Sequence, residues 1–377
     1  MLDLSANSKL QREKQGGLLV VILGWCLLVV YLVILLDLMP RLSLLKHPLS
    51  EESLPSARTP PPRETLMREG RGTQATALFT PSEVVDDRGL EAVQVVMAGD
   101  TAGLGGLVAA VNSVLMHTKR PVKFYLATTD DERQHLKLWI KSTKLHRMVY
   151  KLRTLPRTRP KDRSLHFVKT QLSELFPELE GPVVYLDWDV IVRGDIWELI
   201  STPMRPDHLG AFSEDCAGPA GGPWSGRRRY ATALNLHQSQ MMDIDIDAAG
   251  CPFSTGVFLA NLTRWRETGV TTKLRWWLDS HKRQSIVGVE PGMDEIEAAM
   301  LIVFYDRIAH LDPLWHVQHL GTSSGGRHSK QFVERAKLLH WSGPLKPWHQ
   351  RCAHSELWDR YFIPDPTAQF RPARKRG

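Results

Sequence analysis

Residues 185–192 read YLDWDVIV. An apolar run is interrupted by Asp187 and Asp189, with Trp188 between them, and then resumes as Val190, Ile191 and Val192. Burying charge in a hydrophobic strand costs several kcal/mol unless something compensates it. In an extended segment, residues two apart project to the same side. Both carboxylates therefore aim at one point, while Trp188 turns away into packing. Two carboxylates so close repel, and hard divalent cations such as magnesium or manganese take oxygen ligands of this kind. Exposed loop aspartates and helix caps give the same D-x-D pattern, but the apolar residues on both sides favour the metal reading.

The segments before this stretch set its place in a fold. Val93–Ala98 (VQVVMA) is a short apolar strand that meets Gly99-Asp100, and Leu107 to Leu115 has helical character. Lys123–Ala127 predicts a second strand and Thr129 to Lys144 a polar helical segment. Val149–Leu152 predicts a third strand, Leu165–Leu175 a helix and Val183–Leu186 the next strand. Strands alternating with helices predict an α/β fold with a mixed, mainly parallel sheet. Ligands bind such sheets at the carboxyl ends of strands, which is where Asp187 and Asp189 sit.

A second stretch, LLHWSGPLKPW (338–348), carries complementary chemistry. A neutral His340 imidazole can complete the coordination of a manganese-like ion. Gly343 permits close backbone approach to a ligand, and Lys346 offers a point charge suited to phosphate. Pro347 and Trp348 stiffen the loop. A capped turn around a packed histidine is the competing reading of this segment alone. Together the two stretches imply a metal held by Asp187, Asp189 and His340, with Lys346 beside it for a diphosphate. A nucleotide-sugar donor needs this electrostatic work when its diphosphate departs.

The chain has 377 residues, 24% of them charged and 42% hydrophobic, with a formal net charge of +7. That length suits one large α/β domain with appendages. Arg227, Arg228 and Arg229, and the tail with Arg371, Arg374, Lys375 and Arg376, read as solvated charge clusters. No zinc-finger spacing or basic heptad region is present, so no nucleic-acid partner is expected. Gly16 to Leu36 carries no charge and is long enough to span about 30 Å of hydrocarbon as a helix. Lys9, Arg12 and Lys14 precede it, which favours a cytosolic N-terminus. The sequence thus predicts a cytosolic tail (1–15), a transmembrane signal anchor (16–36), a Pro-rich stem (37–87), a catalytic domain (88–366) and a basic tail (367–377). A single-pass type II protein of the Golgi or endoplasmic reticulum membrane, with its domain in the lumen, follows from that order. An anchor and stem also permit a homodimer. In an oxidising lumen, one pair among Cys216, Cys251 and Cys352 bridges and one thiol is left over. Asn261-Leu262-Thr263 is an acceptor sequence for N-glycosylation in that setting. The aspartates of MDIDIDAAG (242–250) read as a solvated edge or loop.

The chain resembles glycosyltransferase family 8, in particular its animal glycosyltransferase 8 domain-containing members. The resemblance runs from about Val93 to Pro366. It is carried by VVMAGDTAGLGGLVAAVNSV (95–114), YLDWDVIVRGDI (185–196), AFSEDC (211–216), FSTGVFLANLTRW (253–265), LIVFYDRIAHLDPLWHVQHLG (301–321) and HWSGPLKPW (340–348). It implies a single GT-A (Rossmann-like) domain, a divalent metal such as Mn2+, a UDP-sugar donor and retention of anomeric configuration. By motif, Asp187, Asp189 and His340 are similar to the metal ligands, and Gly343 and Lys346 to the diphosphate contacts. Ala98 and Asp100 resemble the nucleotide-binding residues, and Lys169 a basic residue reaching toward phosphate or sugar. Asp215 resembles an acidic residue near sugar and acceptor. Cys216 and Cys251 match segments where relatives carry cysteines, which implies that these two form the bridge.

The departures are specific. Where the family commonly has Phe-Asn-x-Gly-Val, this chain has Phe253, Ser254, Thr255, Gly256 and Val257. Serine keeps a hydrogen bond but reaches less far. The Asp-Gln pair near the reacting carbon is replaced by a region containing Asp294, Glu295 and Glu297. By register Glu297 falls closest to the glutamine, as a catalytic carboxylate or as one of several acids at a helix start. Gly103, Gly105 and Gly106 replace larger residues in the nucleotide loop. The expected function is sugar transfer to a glycan, glycoprotein or glycolipid acceptor. The alternative is a catalytically weak or inactive lumenal protein that binds nucleotide or glycan and acts with a partner.

Overall fold

The computed structural model describes residues 91–155, 165–216, 228–290, 292–322, 328–349 and 352–373. The anchor and stem expected over 16–87 lie outside these residues. Among the described residues, no helix is long and apolar enough to cross a membrane.

Among the described residues, nine strands build two sheets: β1 (Val93–Ala98), β2 (Val122–Thr129), β3 (Val149–Leu155), β4 (Pro182–Leu186), β5 (Val190–Val192), β6 (Gly210–Glu214), β7 (Phe253–Asn261), β8 (Ile308–His310) and β9 (Leu338–His340). The main sheet has the order β3-β2-β1-β4-β7-β6-β8, and β5 pairs with β9 in a second, two-stranded sheet. β3, β2, β1 and β4 run parallel, and β7 lies antiparallel to both β4 and β6. β8 returns parallel to β6. This is the mixed, mainly parallel α/β sheet predicted from the sequence.

Every residue of β1 is buried, as expected of a central strand covered on both faces. The period of two sorts the strands into two cores. Val96, Ala98, Tyr125, Tyr185, Phe212 and Phe258 face one core. Val95, Met97, Phe124, Leu126, Leu186 and Val257 face the other. The first is organised around Phe212, whose ring lies 4.4 Å from Phe253 and 5.1 Å from both Phe258 and Phe304 between centroids. The helix Glu295–Val303 covers this face with Ile296, Met300 and Leu301. On the other face, helix α1 (Leu104–His117) is buried from Leu104 to Val114.

The first turn of α1 explains the three glycines of its loop. A Cβ on Gly103 would lie 2.6 Å from the Trp188 ring, on Gly105 2.1 Å from Phe370, and on Gly106 2.7 Å from Trp348. Three aromatic side chains occupy the space that larger residues would need. Phe370 belongs to the C-terminal segment, where Thr367 hydrogen-bonds Asp365 and the Ala373 N–H donates to the Trp348 carbonyl.

Two local expectations change. Leu165–Leu175, predicted as one helix, is a 3-10 turn at His166–Thr170 followed by a short helix at Leu172–Leu175. Gln171, at φ −122°, breaks the helical path between them. The polar helix predicted over 129–144 is confined to Arg133–Lys141. The Asp243, Asp245 and Asp247 segment is an exposed loop, as expected.

Because Phe212 ties β6 to β7 and to the covering helix, Phe212→Ala should destabilise the domain by about 3–5 kcal/mol. Urea unfolding followed by tryptophan fluorescence measures this, and a loss under about 1 kcal/mol would show that the aromatic cluster does not organise that core.

Candidate active site

The two aspartates sit at a junction between sheets. β4 ends at Leu186 and β5 begins at Val190, so Asp187-Trp188-Asp189 carries the chain from one sheet to the other. The Asp187 N–H donates to the Gly256 carbonyl at 2.8 Å, continuing the β4–β7 pairing. The Asp189 carbonyl accepts from the Trp341 N–H at 3.0 Å, continuing β5–β9. Backbone hydrogen bonds thus fix both residues from opposite sides. Trp188 turns away from the carboxylates and packs against Trp348, with ring centroids 5.4 Å apart.

Two lysines face the aspartates. Lys169 Nζ lies 3.0 Å from one Asp187 carboxylate oxygen, and Lys346 Nζ lies 2.6 Å from Asp189 Oδ2. Burial alone would raise the Asp189 carboxyl, but Lys346 and the His340 imidazole outweigh it and hold the group well below the usual carboxylate range. His340 Nε2 lies 3.1 Å from Asp189 Oδ1. Oxygen and nitrogen atoms of Asp187, Asp189 and His340 all lie within 4.8 Å of one another. Gly256 leaves room for this grouping: a Cβ there would stand 2.4 Å from His340 Cε1 and 2.9 Å from Asp187 Oδ2. Gly343, at φ +116°, occupies a backbone region that favours glycine, and a Cβ there would meet the Gly321 carbonyl at 2.8 Å.

Behind His340 stands His316, which sequence reasoning did not single out. Burial, followed by its neighbour His340, holds the His316 imidazole well below its ordinary range, so the ring is neutral. Its Nε2 lies 2.8 Å from His340 Nδ1. That contact holds the orientation of the His340 ring, whose Nε2 faces Asp189.

A cavity of about 350 Å³ opens over this group. Among the expected residues, Ala98, Lys169, Asp187, Asp189, Asp215, Ser254, Glu297, His340, Gly343 and Lys346 line it. Asp100 does not; its carboxylate accepts from the N–H groups of Ala102 and Gly103. Asn261 stands half-buried at the end of β7, where its side chain accepts from the Arg264 N–H and caps a short helix. Cys216 and Cys251 are joined by a disulfide and Cys352 is a free thiol.

One expectation is overturned. Arg228, read as part of a solvated arginine cluster, is 5% exposed and lines the cavity. Its guanidinium meets Asp215 at 2.5 Å, Glu297 at 2.6 Å and Glu290 at 2.7 Å. Burial alone would lower its pKa, but the Glu297, Asp215 and Glu290 carboxylates outweigh it and raise it, which a solvated loop would not do. His319 completes the group, with Nε2 2.7 Å from Asp215 Oδ1 and its backbone in the left-handed region at φ +63°. A non-glycine residue in that region marks strain held by its surroundings. Burial would raise Asp215, but the His319 hydrogen bond and the Arg228 charge hold it well below the carboxylate range. Burial pushes Glu290 up to about 7 against the pull of Arg228. His316 and His319 lie three apart in the quoted LWHVQHLG segment, a spacing that offered a signal. Nothing in the run of three arginines marked Arg228.

Residues 94–352 match the family model described as glycosyl transferase family 8. The chain is 40% identical over 309 residues to glycosyltransferase 8 domain-containing protein 1 of Xenopus tropicalis, covering 78% of this chain and 82% of that one. It is 34% identical over 320 residues to the protein of that name in Homo sapiens, covering 79% and 85%. Among solved structures, it superposes on the galactosyltransferase LgtC in complex with donor and acceptor sugar analogs with a TM-score of 0.52. That match has 17% identity and covers 74% of this chain and 100% of LgtC. The WbbM bifunctional glycosyltransferase gives a TM-score of 0.53 at 18% identity, covering 74% and 50%. The fold is GT-A-like.

Asp294 joins the site to the core. It caps the helix Glu295–Val303 by accepting from the Ile296 and Glu297 N–H groups, and it faces His166 at 3.0 Å. Burial would raise its carboxyl, but the His166 hydrogen bond and the Glu297 N–H lower it to about 2. Asp294→Ala should cost about 0.5–2 kcal/mol in urea unfolding at pH 7. A lowered folded-state pKa contributes stability above the unfolded value, lost as pH falls toward about 2. The gap between wild type and variant should therefore shrink between pH 4 and pH 2, and a gap constant over that range would refute the assignment.

Proposed function

The chain belongs to glycosyltransferase family 8, and from that premise we propose that it transfers a sugar from a UDP-sugar to a hydroxyl of a glycan, glycoprotein or glycolipid, with retention of anomeric configuration. The observation that carries this reading is the convergence of Asp187, Asp189 and His340 within 4.8 Å, with Lys346 beside them at one end of the cavity.

The residues fit a divalent cation. Two carboxylates and one imidazole form a hard, anionic donor set suited to manganese or magnesium, and the absence of a side chain on Gly256 leaves space around it. Asp187, Asp189 and His340 would hold the ion, which when bound supplies positive charge to a departing diphosphate. Lys346 binds the diphosphate as a point charge, and Gly343 lets the backbone approach it. Lys169, which faces Asp187, reaches toward the phosphate or sugar. In the transfer, the bond from the anomeric carbon to the phosphate oxygen breaks and the bond to the acceptor oxygen forms on the same face. The acceptor proton passes to the departing phosphate oxygen. Asp215 and Glu297 border the sugar. The charge-free run Gly16–Leu36 and the Cys216–Cys251 disulfide support a lumenal setting on a Golgi or endoplasmic reticulum membrane.

Calorimetric titration of UDP should show binding that needs manganese, and Asp189→Ala should abolish it. Gly256→Ala keeps all three ligands but crowds them, and should weaken manganese-dependent UDP binding by about tenfold or more. Manganese-dependent binding that survives in both variants would remove the metal site. Binding without release of UDP from any UDP-sugar, over a panel of glycan acceptors, would favour the non-catalytic alternative.

A further inference from the structure

Asp187 follows the end of β4, and β4 is one strand of a longer parallel edge. β1 pairs with β4 and β2 pairs with β1, all three in the same direction. Their carboxyl ends therefore lie side by side, and ligands of such sheets bind along that edge. Ala98, the last residue of β1, lines the cavity. The loop Asp100–Gly103 follows β1, and the turn through Glu132, whose N–H donates to the Thr129 carbonyl, follows β2.

A chain of polar contacts joins these two turns to a remote part of the sequence. The Thr101 hydroxyl donates to Glu132 Oε1 at 2.6 Å. Glu132 Oε2 lies 3.1 Å from His135 Nδ1, and Nε2 of the same ring lies 2.9 Å from Asp365 Oδ2, 230 positions away. A protonated imidazole donates from both nitrogens and so bridges two carboxylates. The His135 side chain is 10% exposed and that of Asp365 0%, so their contact escapes the solvent screening that makes exposed pairs weak. The His135 ring stacks on Trp139, with centroids 5.5 Å apart. Asp365 also accepts from the N–H groups of Thr367 and Phe370 at 2.9 Å and 2.8 Å. Burial would raise its carboxyl, but the Phe370 and Thr367 N–H groups, the Thr367 hydroxyl and His135 outweigh it and lower it.

We propose that His135 and Asp365 are positioning residues for the nucleotide: they tie the C-terminal segment through Glu132 to Thr101, and so hold the loop Asp100–Gly103 in the place that receives the nucleoside half of the donor. The inference rests on the UDP-sugar reading above and extends it to a remote segment. With the diphosphate at the end of β4, the nucleoside lies along the neighbouring ends of β1 and β2. The Asp100 carboxylate, which accepts from the Ala102 and Gly103 N–H groups, sets the shape of the turn. The Thr101–Glu132 hydrogen bond sets where that turn stands relative to β2. His135 and Asp365 do not line the cavity, so they act through the loop rather than on the donor.

The test is calorimetric titration of UDP, with manganese, into two single variants and their combination. Asp365→Asn removes the charge that His135 meets, and Thr101→Val removes only the hydroxyl at the far end of the chain of contacts. Each should weaken UDP binding roughly fivefold or more. Because both cut the same chain, the double variant should bind UDP about as weakly as the weaker single variant, rather than by the product of the two losses. Inorganic diphosphate with manganese has no nucleoside, and should keep its wild-type affinity in all three. Unchanged UDP binding in either single variant, or losses that multiply in the double variant, would overturn the inference and leave the donor reading standing. A parallel loss of diphosphate binding would also overturn it, by showing general damage to the site. If urea unfolding shows that Asp365→Asn does not fold, His135→Gln takes its place in the cycle with the same expected outcomes. Wild-type protein that binds no UDP would sink the donor reading, and the inference with it.

Discussion

The site depends on compensating two negative charges at a sheet junction. Asp187 and Asp189 sit between two buried strands that are apolar but for the Tyr185 hydroxyl. Their carboxylates can occupy that place because Lys169, Lys346 and His340 surround them. A buried charge left without a partner would destabilise the strands on either side. The same arrangement leaves two anionic groups and an imidazole gathered around one point, so the chemistry follows from what made the local fold tolerable. The lysines are well suited to exchange partners, since a diphosphate offers them equivalent oxygens when a cation takes over the aspartates.

A second balance of charge, around Arg228, has the opposite sign at its centre. There one guanidinium is held by three carboxylates, and the backbone of His319 is strained to bring its imidazole to Asp215. The cavity therefore joins a cation-seeking end to an acidic end already furnished with its own cation. A histidine stands at each end, His340 against Asp189 and His319 against Asp215. His316 and His340 stack with centroids 5.1 Å apart, so the orientation of the metal-side imidazole depends on packing beneath it.

Much of the fold was legible because its signals are local. The apolar runs of β1 and β4 read directly as buried strands, and the interruption at Asp187 and Asp189 marked the carboxyl edge of the sheet. The second stretch was legible too, since His340, Gly343 and Lys346 lie within seven residues of one another in the sequence. What escaped was non-local. Arg228 reads as one of three consecutive arginines, and only its meeting with Glu290 and Glu297, more than sixty residues later, removes it from solvent. Asp100 shows the converse. Its place after the first strand suggested the nucleotide, but an aspartate two residues before free backbone N–H groups also satisfies them. Gln171 interrupts a helix whose pattern read as continuous, and Lys169 lies buried in the 3-10 segment before it.

The aromatic packing over α1 bears on where the domain ends. Phe370 stands against Gly105, Trp139 and Trp348, and Trp348 in turn packs on Trp188, the residue between the two aspartates. The family match stops at residue 352, yet the wall behind the site is completed by a side chain eighteen positions later in the chain. The packing around the site therefore extends past the segment that the family model matches. A stretch beyond the matched family segment thus acts as a keystone, and shortening its one ring would open a gap behind the residue that separates the two aspartates.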